Sequence, residues 1–418
     1  MVEDKPGFVN NDLNLGNLVS SCALECYNHP EKVLKDKQLT KYRSAKNGYL
    51  DKFTVSASLV AIIPKESEQD SSDEGEPEPK RRKVKLENAL EVMPLTLTTG
   101  LKTMPNERIQ KLSNGRLIHD CHAEILSIRS SNLIILNEIA EIVKGRTSTS
   151  SRKADMPGKY TLINKKTQFA LYISEIPCGD CSIDNTKHGS LDKTEWEDKG
   201  TTKTGVARGR NNFDKVGIVR TKPGRSDSLV SYSKSCSDKS CLKQFTSSLS
   251  CHTYDLIEDH SLFYLKYLVL PEAKINTTSI QRCFYGRFID NVEERHLKNF
   301  KNLSVLPTDI IFETKNTPCN TSILYSPMTA FLQVLNNGIK DGCSSKNGIK
   351  ASNQSEISRE SLMKKAILLN RILASFENYQ CFKESLAERR SLKLAVKNGL
   401  GGWGKSSSDN FSLHFGKI

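Results

Sequence analysis

No stretch of this 418-residue sequence approaches the roughly 18 apolar residues that a bilayer-crossing helix needs; the best are LVAII (59–63) and LIIL (133–136). Membrane insertion is therefore not expected. The opening stretch, MVEDKPGFVN, has neither the basic segment nor the apolar segment that directs secretion. No internal repeat is found, so a solenoid is not expected. Residues 65–85, KESEQDSSDEGEPEPKRRKVK, contain no aromatic side chain, and a Ser/Glu/Pro-rich run of this kind cannot bury enough apolar surface to order itself.

What is present is an ordinary globular composition, 37% hydrophobic and 26% charged, with a net charge of +13. A basic balance of that size suits a polyanionic partner, nucleic acid being the usual one, although basic proteins without nucleic-acid partners are common. The twelve cysteines are scattered through a chain without a secretory leader, which argues for reduced thiols in the cytosol or nucleus, some available for metal.

The flanks of the 65–85 segment, 52–64 and 89–100, are rich in β-branched residues and read as neighbouring strands. The segment is thus expected to be a disordered insertion in one domain spanning 1–418. Its PKRRKVK end (79–85) has the form of a basic nuclear-import signal, placing the protein in the nucleus, the cytoplasm or both; a solvated charge run is the plainer reading. Leu13, Leu18, Cys22 and Leu24 have roughly helical spacing. Residues 166–180 read as a buried strand ending at Pro177, 261–271 as another strand, and 360–397 as basic helices. Strands and helices alternate, so the class is α/β.

Residues 117–145 read as a long amphipathic helix with an anomaly: Cys121, His122 and Glu124 crowd its first turn. On an ideal helix His122 and Glu124 lie about 200° apart, so they share no lateral face and meet only at a site beyond the helix N-terminus. Two further fragments join them, PCGDC (177–181) and SCSDK (235–239). H-x-E followed by P-C-x-x-C is the signature of zinc nucleobase deaminases, in which one His and two Cys hold the ion and the Glu is not a ligand. Such a site leaves its fourth position to a water whose pKa the metal lowers to about 7. Glu124 would shuttle the protons. His122 and Cys178 are the first two ligands; the spacing rule offers Cys181 as the third, with Cys236 the competitor. Cys121 is assigned to packing. A structural zinc site would account for the cysteines but leaves Glu124 without a task.

DCHAEILSIRS, LYISEIPCGDCSI, RTKPGRSD and SCSDK, followed far downstream by NGLGGW and DNFSL, resemble the eukaryotic adenosine deaminases that act on RNA, over nearly the whole chain from about residue 12 to 415. The resemblance implies a cytidine-deaminase-like mixed-sheet core sandwiched by helices, with a C-terminal helical extension. It makes Cys236 the second sulfur ligand, the position of Cys181 being a small residue in most relatives. It also implies inositol hexakisphosphate buried in a basic pocket, with Arg129, Lys239, Tyr379, Gln380, Lys383, Trp403, Lys405 and Asp409 at matching positions. Ile128 and Leu242 stand where relatives acting on double-stranded RNA have Arg, which leaves open a less cationic pocket or other basic residues in their place. Asp120, Lys239 and Lys222 would form a relay between that pocket and Cys236; Asp120 also suits a simple helix N-cap.

Zinc chemistry alone does not separate adenine from cytosine, since C6 of one and C4 of the other both accept hydroxide. The separated SCSDK stretch decides for adenine by resemblance. No appended RNA-binding module is expected ahead of the core, and only thirteen residues separate Lys222 from Cys236, where enzymes of long double-stranded RNA carry a longer base-replacing loop. A short loop fits a base already exposed in a single-stranded loop. The branch of the family most similar to this chain acts on tRNA, which implies adenosine 37 of the alanine tRNA anticodon loop as substrate. Phosphate contacts are expected from residues 205–215 and 380–397, and no obligate protein partner is expected. The competing readings are a catalytically inactive RNA-binding relative and a cytidine deaminase using Cys181.

Overall fold

The computed structural model describes residues 9–47, 52–65, 89–148, 150–187, 206–209, 214–222, 227–314, 317–404, 406 and 409–415. Residues 66–88, which include the expected import signal and most of the expected insertion, lie outside the described residues, as does Lys405.

Nine strands form the central sheet: β1 Ser56–Pro64, β2 Leu90–Pro94, β3 Leu97–Thr99, β4 Gln168–Ile173, β5 Leu265–Pro271, β6 Ser304–Thr308, β7 Thr321–Ser326, β8 Phe331–Asn336 and β9 Ile339–Lys340. Their order is β6-β5-β4-β1-β3-β7-β8-β9, with β2 also pairing β1. β4, β5 and β6 run parallel, and the other pairings are antiparallel, so the sheet is mixed. Strands 52–64 and 89–100 do pair, as the β-branched pattern suggests.

The sheet is buried on both faces, because successive side chains of a strand point to opposite sides. Leu59 and Ala61 of β1, with Phe169, Leu171 and Ile173 of β4, enter one core. Val60 and Ile62, with Ala170 and Tyr172, enter the other. Helix α1 (Leu13–Asn28) covers the second face. Its buried stripe is Leu15, Val19, Ala23 and Leu24; Leu13 and Leu18, expected there from spacing, are only half-buried, because a stripe one residue further on carries the small Gly16 and Ser20 that let the helix lie close to β6.

The remaining helices that bear on the site are α2 (Asn106–Leu112), α3 (Ala123–Val143), α4 (Cys236–Thr246), α5 (Arg359–Leu369), α6 (Tyr379–Ser385) and α7 (Ala387–Gly399). α3 covers the first face of the sheet; α5 packs on α3 and α7 on α4, forming the C-terminal helical layer. The expected α/β core with helices on both faces and a helical extension is what the chain forms.

Three boundaries differ from the sequence reading. The strand expected to end at Pro177 ends at Ile173, with one further backbone bond from Ser174 N to Ser56 O before the chain leaves the sheet. Residues 260–263 of the strand expected over 261–271 form a 3-10 turn, with Asp259 accepting from Ser261 N. Most consequential, Asp120–His122 is a short strand paired with Leu101–Thr103, and α3 begins only at Ala123.

Candidate active site

The late start of α3 resolves the geometric conflict between His122 and Glu124. His122 is the N-cap of α3 with extended backbone (φ −67°, ψ 139°), so its side chain is free of the 100° per residue advance that the helix imposes from Ala123 onward. Gly100 makes the pairing feasible: it sits at φ +151°, and a Cβ there would lie 2.1 Å from the carbonyl oxygen of Cys121. Cys121 itself points into the core, the packing role expected of it.

Cys178 follows the parallel strand β4 and Cys236 is the first residue of α4. Ligand-bearing residues beyond the carboxyl end of parallel strands are the usual arrangement in α/β sheets. Gly179, at φ +107°, allows the 177–181 turn to press against the start of α4, where a Cβ would meet Ser235 Oγ at 2.1 Å. Ser235 caps the helix by accepting from Asp238 N. Cys236 N in turn approaches Cys178 Sγ at 3.4 Å.

His122 Nδ1 lies 3.8 Å from Cys178 Sγ and 3.6 Å from Cys236 Sγ, and the three donor atoms are all within 4.8 Å of one another. This one-nitrogen, two-sulfur set has the composition and spacing that suit zinc. Cys181 is not part of it. Its thiol is fully buried and directed to Cys283, whose sulfur also neighbours Cys241, and the Cys283 thiol and burial together push it well above the usual thiol range. The structure therefore brings Cys236, and not Cys181, to His122 and Cys178.

Glu124 is buried, and its Oε2 has no hydrogen-bond partner among the described residues. An unsatisfied buried carboxylate oxygen costs on the order of 1–3 kcal/mol, which a structural residue would avoid. With His122 and Cys178 it lines an open cleft of about 1200 Å³.

Behind the cluster, Asp120 accepts from Lys222 Nζ at 2.9 and 2.8 Å, from Ser233 Oγ at 3.1 Å and from Lys239 Nζ. Its Oδ1 also accepts from His122 N at 3.1 Å. Asp120 is thus no N-cap of α3, which starts three residues later. Burial works against the Asp120 carboxylate, but Lys222 and Lys239 outweigh it and hold its pKa well below the usual range.

A second cavity, of about 410 Å³, adjoins this relay through Asp120 and Lys239. Of the residues the resemblance places at a polyphosphate site, Arg129, Lys239, Tyr379, Lys383 and Trp403 line it. Gln380 is exposed and bonded to Glu384, because it faces away on α6. Asp409 lies behind the lining, accepting from Arg359, Gly115 N and Ser113. Ile128 and Leu242 do line the cavity, and cations come instead from Lys243, Arg359, Arg389 and Lys393. Those four were missed as pocket residues; Arg389 and Lys393 had been read as RNA contacts, whereas both line the cavity, Arg389 buried and Lys393 half-buried, on a face of α7 that two apolar positions, Leu392 and Val396, announce.

Arg359 is paired with Asp409, but Lys243, Arg389 and Lys393 have no carboxylate partner among the described lining residues. Asp120 is the one carboxylate among the described lining residues, and Lys222 and Lys239 already hold it. Burial, then Arg389, pushes Lys243 down to about 7; burial, then Arg359, pushes Arg129 down to about 10; Lys393 is driven well below the usual lysine range by burial and Arg389. Arg389 Nε is buried without a hydrogen-bond partner among the described residues. A polyanion among these desolvated cations would offset their charge, so the residues present fit an inositol polyphosphate.

A mixed sheet that delivers a helix-start His-x-Glu and two cysteines to one cleft defines a nucleobase-deaminating enzyme. Residues 96–385 match the adenosine-deaminase (editase) domain family, and the chain belongs to it. It is similar to the tRNA-specific adenosine deaminase 1 of Saccharomyces cerevisiae, 33% identical over 343 residues, which is 77% of this chain and 82% of the relative. The protein of the same name from Schizosaccharomyces pombe is 33% identical over 341 residues, 78% of this chain and 86% of the relative. The human protein of that name is 26% identical over 226 residues, 47% of this chain and 44% of the relative.

Proposed function

We propose that this adenosine deaminase converts adenosine to inosine in tRNA, at position 37 of alanine tRNA, with one zinc ion held by His122, Cys178 and Cys236. The observation that carries the chemistry is the buried Oε2 of Glu124, without a hydrogen-bond partner among the described residues, beside that donor set on the wall of a cleft open to solvent. Zinc held by these residues would supply a Lewis acid that lowers the pKa of the attacking water. Glu124 would take one proton from the water that adds to C6 of adenine and pass it to the ring nitrogen N1, then take the second from the resulting C6 hydroxyl and pass it to the departing amine. Water is consumed and ammonia released, leaving a carbonyl at C6. Lys222, through Asp120 and Cys236, orients the ligand set and offsets its negative charge.

The tRNA substrate is supported by the names of the two fungal relatives, which cover most of this chain. Inositol hexakisphosphate is the proposed occupant of the cationic cavity, on the strength of the excess of Lys and Arg over carboxylates in its described lining. The test is incubation of the purified protein with unmodified alanine tRNA and reading of inosine as A-to-G change in complementary DNA. Conversion at position 37 that disappears in Glu124→Ala supports the reading; an unchanged tRNA, with zinc and polyphosphate shown to be bound, overturns it.

A further inference from the structure

Most of the large apolar side chains that stand exposed on the described surface, Ile311 and Ile372 among them, lie away from the cavities; Leu229 is the one that lines the catalytic cleft. It is 67% exposed. Its exposure is built into the backbone on both sides. Ser228 O accepts from Arg208 Nη2, Val230 O accepts from Asn106 N at 2.9 Å, and Tyr232 N donates to Asn106 Oδ1 at 2.9 Å. The segment is thereby tied to the start of α2, so the leucine is held out into the cleft by a fixed frame.

The same frame supplies charge. Arg108 and Lys111, on α2, line the cleft with Leu229. Leu229 lines the cleft with further apolar side chains, Leu101, Met104 and Leu112 among them, and with these cations, a composition that suits single-strand RNA: bases pack on the apolar surface while cations follow the phosphates.

We propose that Leu229 is a positioning residue for the RNA, the surface against which a nucleobase flanking the target adenosine packs. The proposal rests on the RNA-deaminase reading above. It assigns to Leu229 a share of RNA affinity and none of the chemistry, since nothing places it against the reacting atoms.

The experiment uses the full chain with Leu229→Ser and Leu229→Phe, measuring RNA Kd by filter binding, KM and kcat for inosine formation, and melting temperature. Leu229→Ser is expected to raise Kd and KM about tenfold, near the low end of what one stacked base contributes, with kcat within about twofold. Leu229→Phe is expected to restore or improve both constants, which a merely structural role would not produce. Melting temperatures should stay within about 1 °C, as for an exposed side chain. A Leu229→Ser variant with Kd and KM within about twofold of wild type overturns the proposal. So does a loss confined to kcat, or a Phe variant as impaired as the Ser variant. Wild-type protein that binds RNA but forms no inosine removes the deaminase reading while Kd still decides on Leu229; wild type that binds no RNA removes both.

Discussion

The ammonium of Lys222 lies 2.9 Å from the sulfur of Cys236 while both oxygens of Asp120 accept from it, so one buried lysine joins a thiol of the His–Cys–Cys cluster to the edge of a cationic cavity. The two sites of the molecule are thus linked by a few hydrogen bonds.

Removing that lysine is expected to be severe. Lys222→Ala leaves Asp120 buried beside Lys239 alone and strips Cys236 of its cationic neighbour. Breaking a buried ion pair from one side costs roughly 3–5 kcal/mol. Chemical denaturation should show a loss of that order, with reduced zinc content by atomic absorption; a variant as stable as wild type refutes the relay.

Glu124→Gln should keep the metal and lose turnover. The substitution preserves shape but removes the proton-accepting carboxylate at a position with no hydrogen-bond partner on Oε2. Inosine formation should fall by at least about 100-fold, the range contributed by a positioned acid/base. Loss of zinc in this variant would instead make Glu124 a ligand.

Cys236→Ala should lose the metal, whereas Cys181→Ala should retain it. The first removes a donor within 4.8 Å of the other two; the second removes a thiol that faces Cys283. Zinc stoichiometry after dialysis separates the two, and the opposite pattern transfers the ligand role to Cys181.

The cationic cavity predicts an unusual pH response. The folded pKa of Lys243 is depressed to about 7, below its unfolded value of 10.5, so between these values the unfolded chain binds more protons than the folded one. Stability of protein stripped of polyanion should therefore rise as pH increases from about 7 towards 10. Added inositol hexakisphosphate pairs the charges, raises their pKa values and should abolish or invert that slope. Thermal melts across this range, with and without the ligand, check the sign; equal slopes argue that no polyanion belongs there.

The catalytic fragments were legible in the sequence because metal chemistry demands particular atoms at short local spacing. His122, Glu124 and Cys178 could be named from CHAE and PCGDC alone. The strands β1 and β4 were legible too, since residues buried on both faces leave continuous apolar runs. The inward cations of α7 were not, because a basic helix reads as a solvated or RNA-binding face until its packing partner is known.

By itself, then, the sequence pointed to the candidate donor residues, the carboxylate beside them and the continuous apolar runs of the core, all of which depend on residue identity over a few positions. Which cysteine completes the donor set was decided only by tertiary structure. Cys181 is three residues from Cys178 and Cys236 is fifty-eight, yet the 177–181 turn sends Cys181 inward to Cys283 while α4 presents Cys236 to His122. Sequence distance sets no limit on spatial distance once the chain has crossed between parallel strands. The same is true of the cavity: Arg129, Lys243 and Lys393 come from three helices, and only their packing brings these charges to one place.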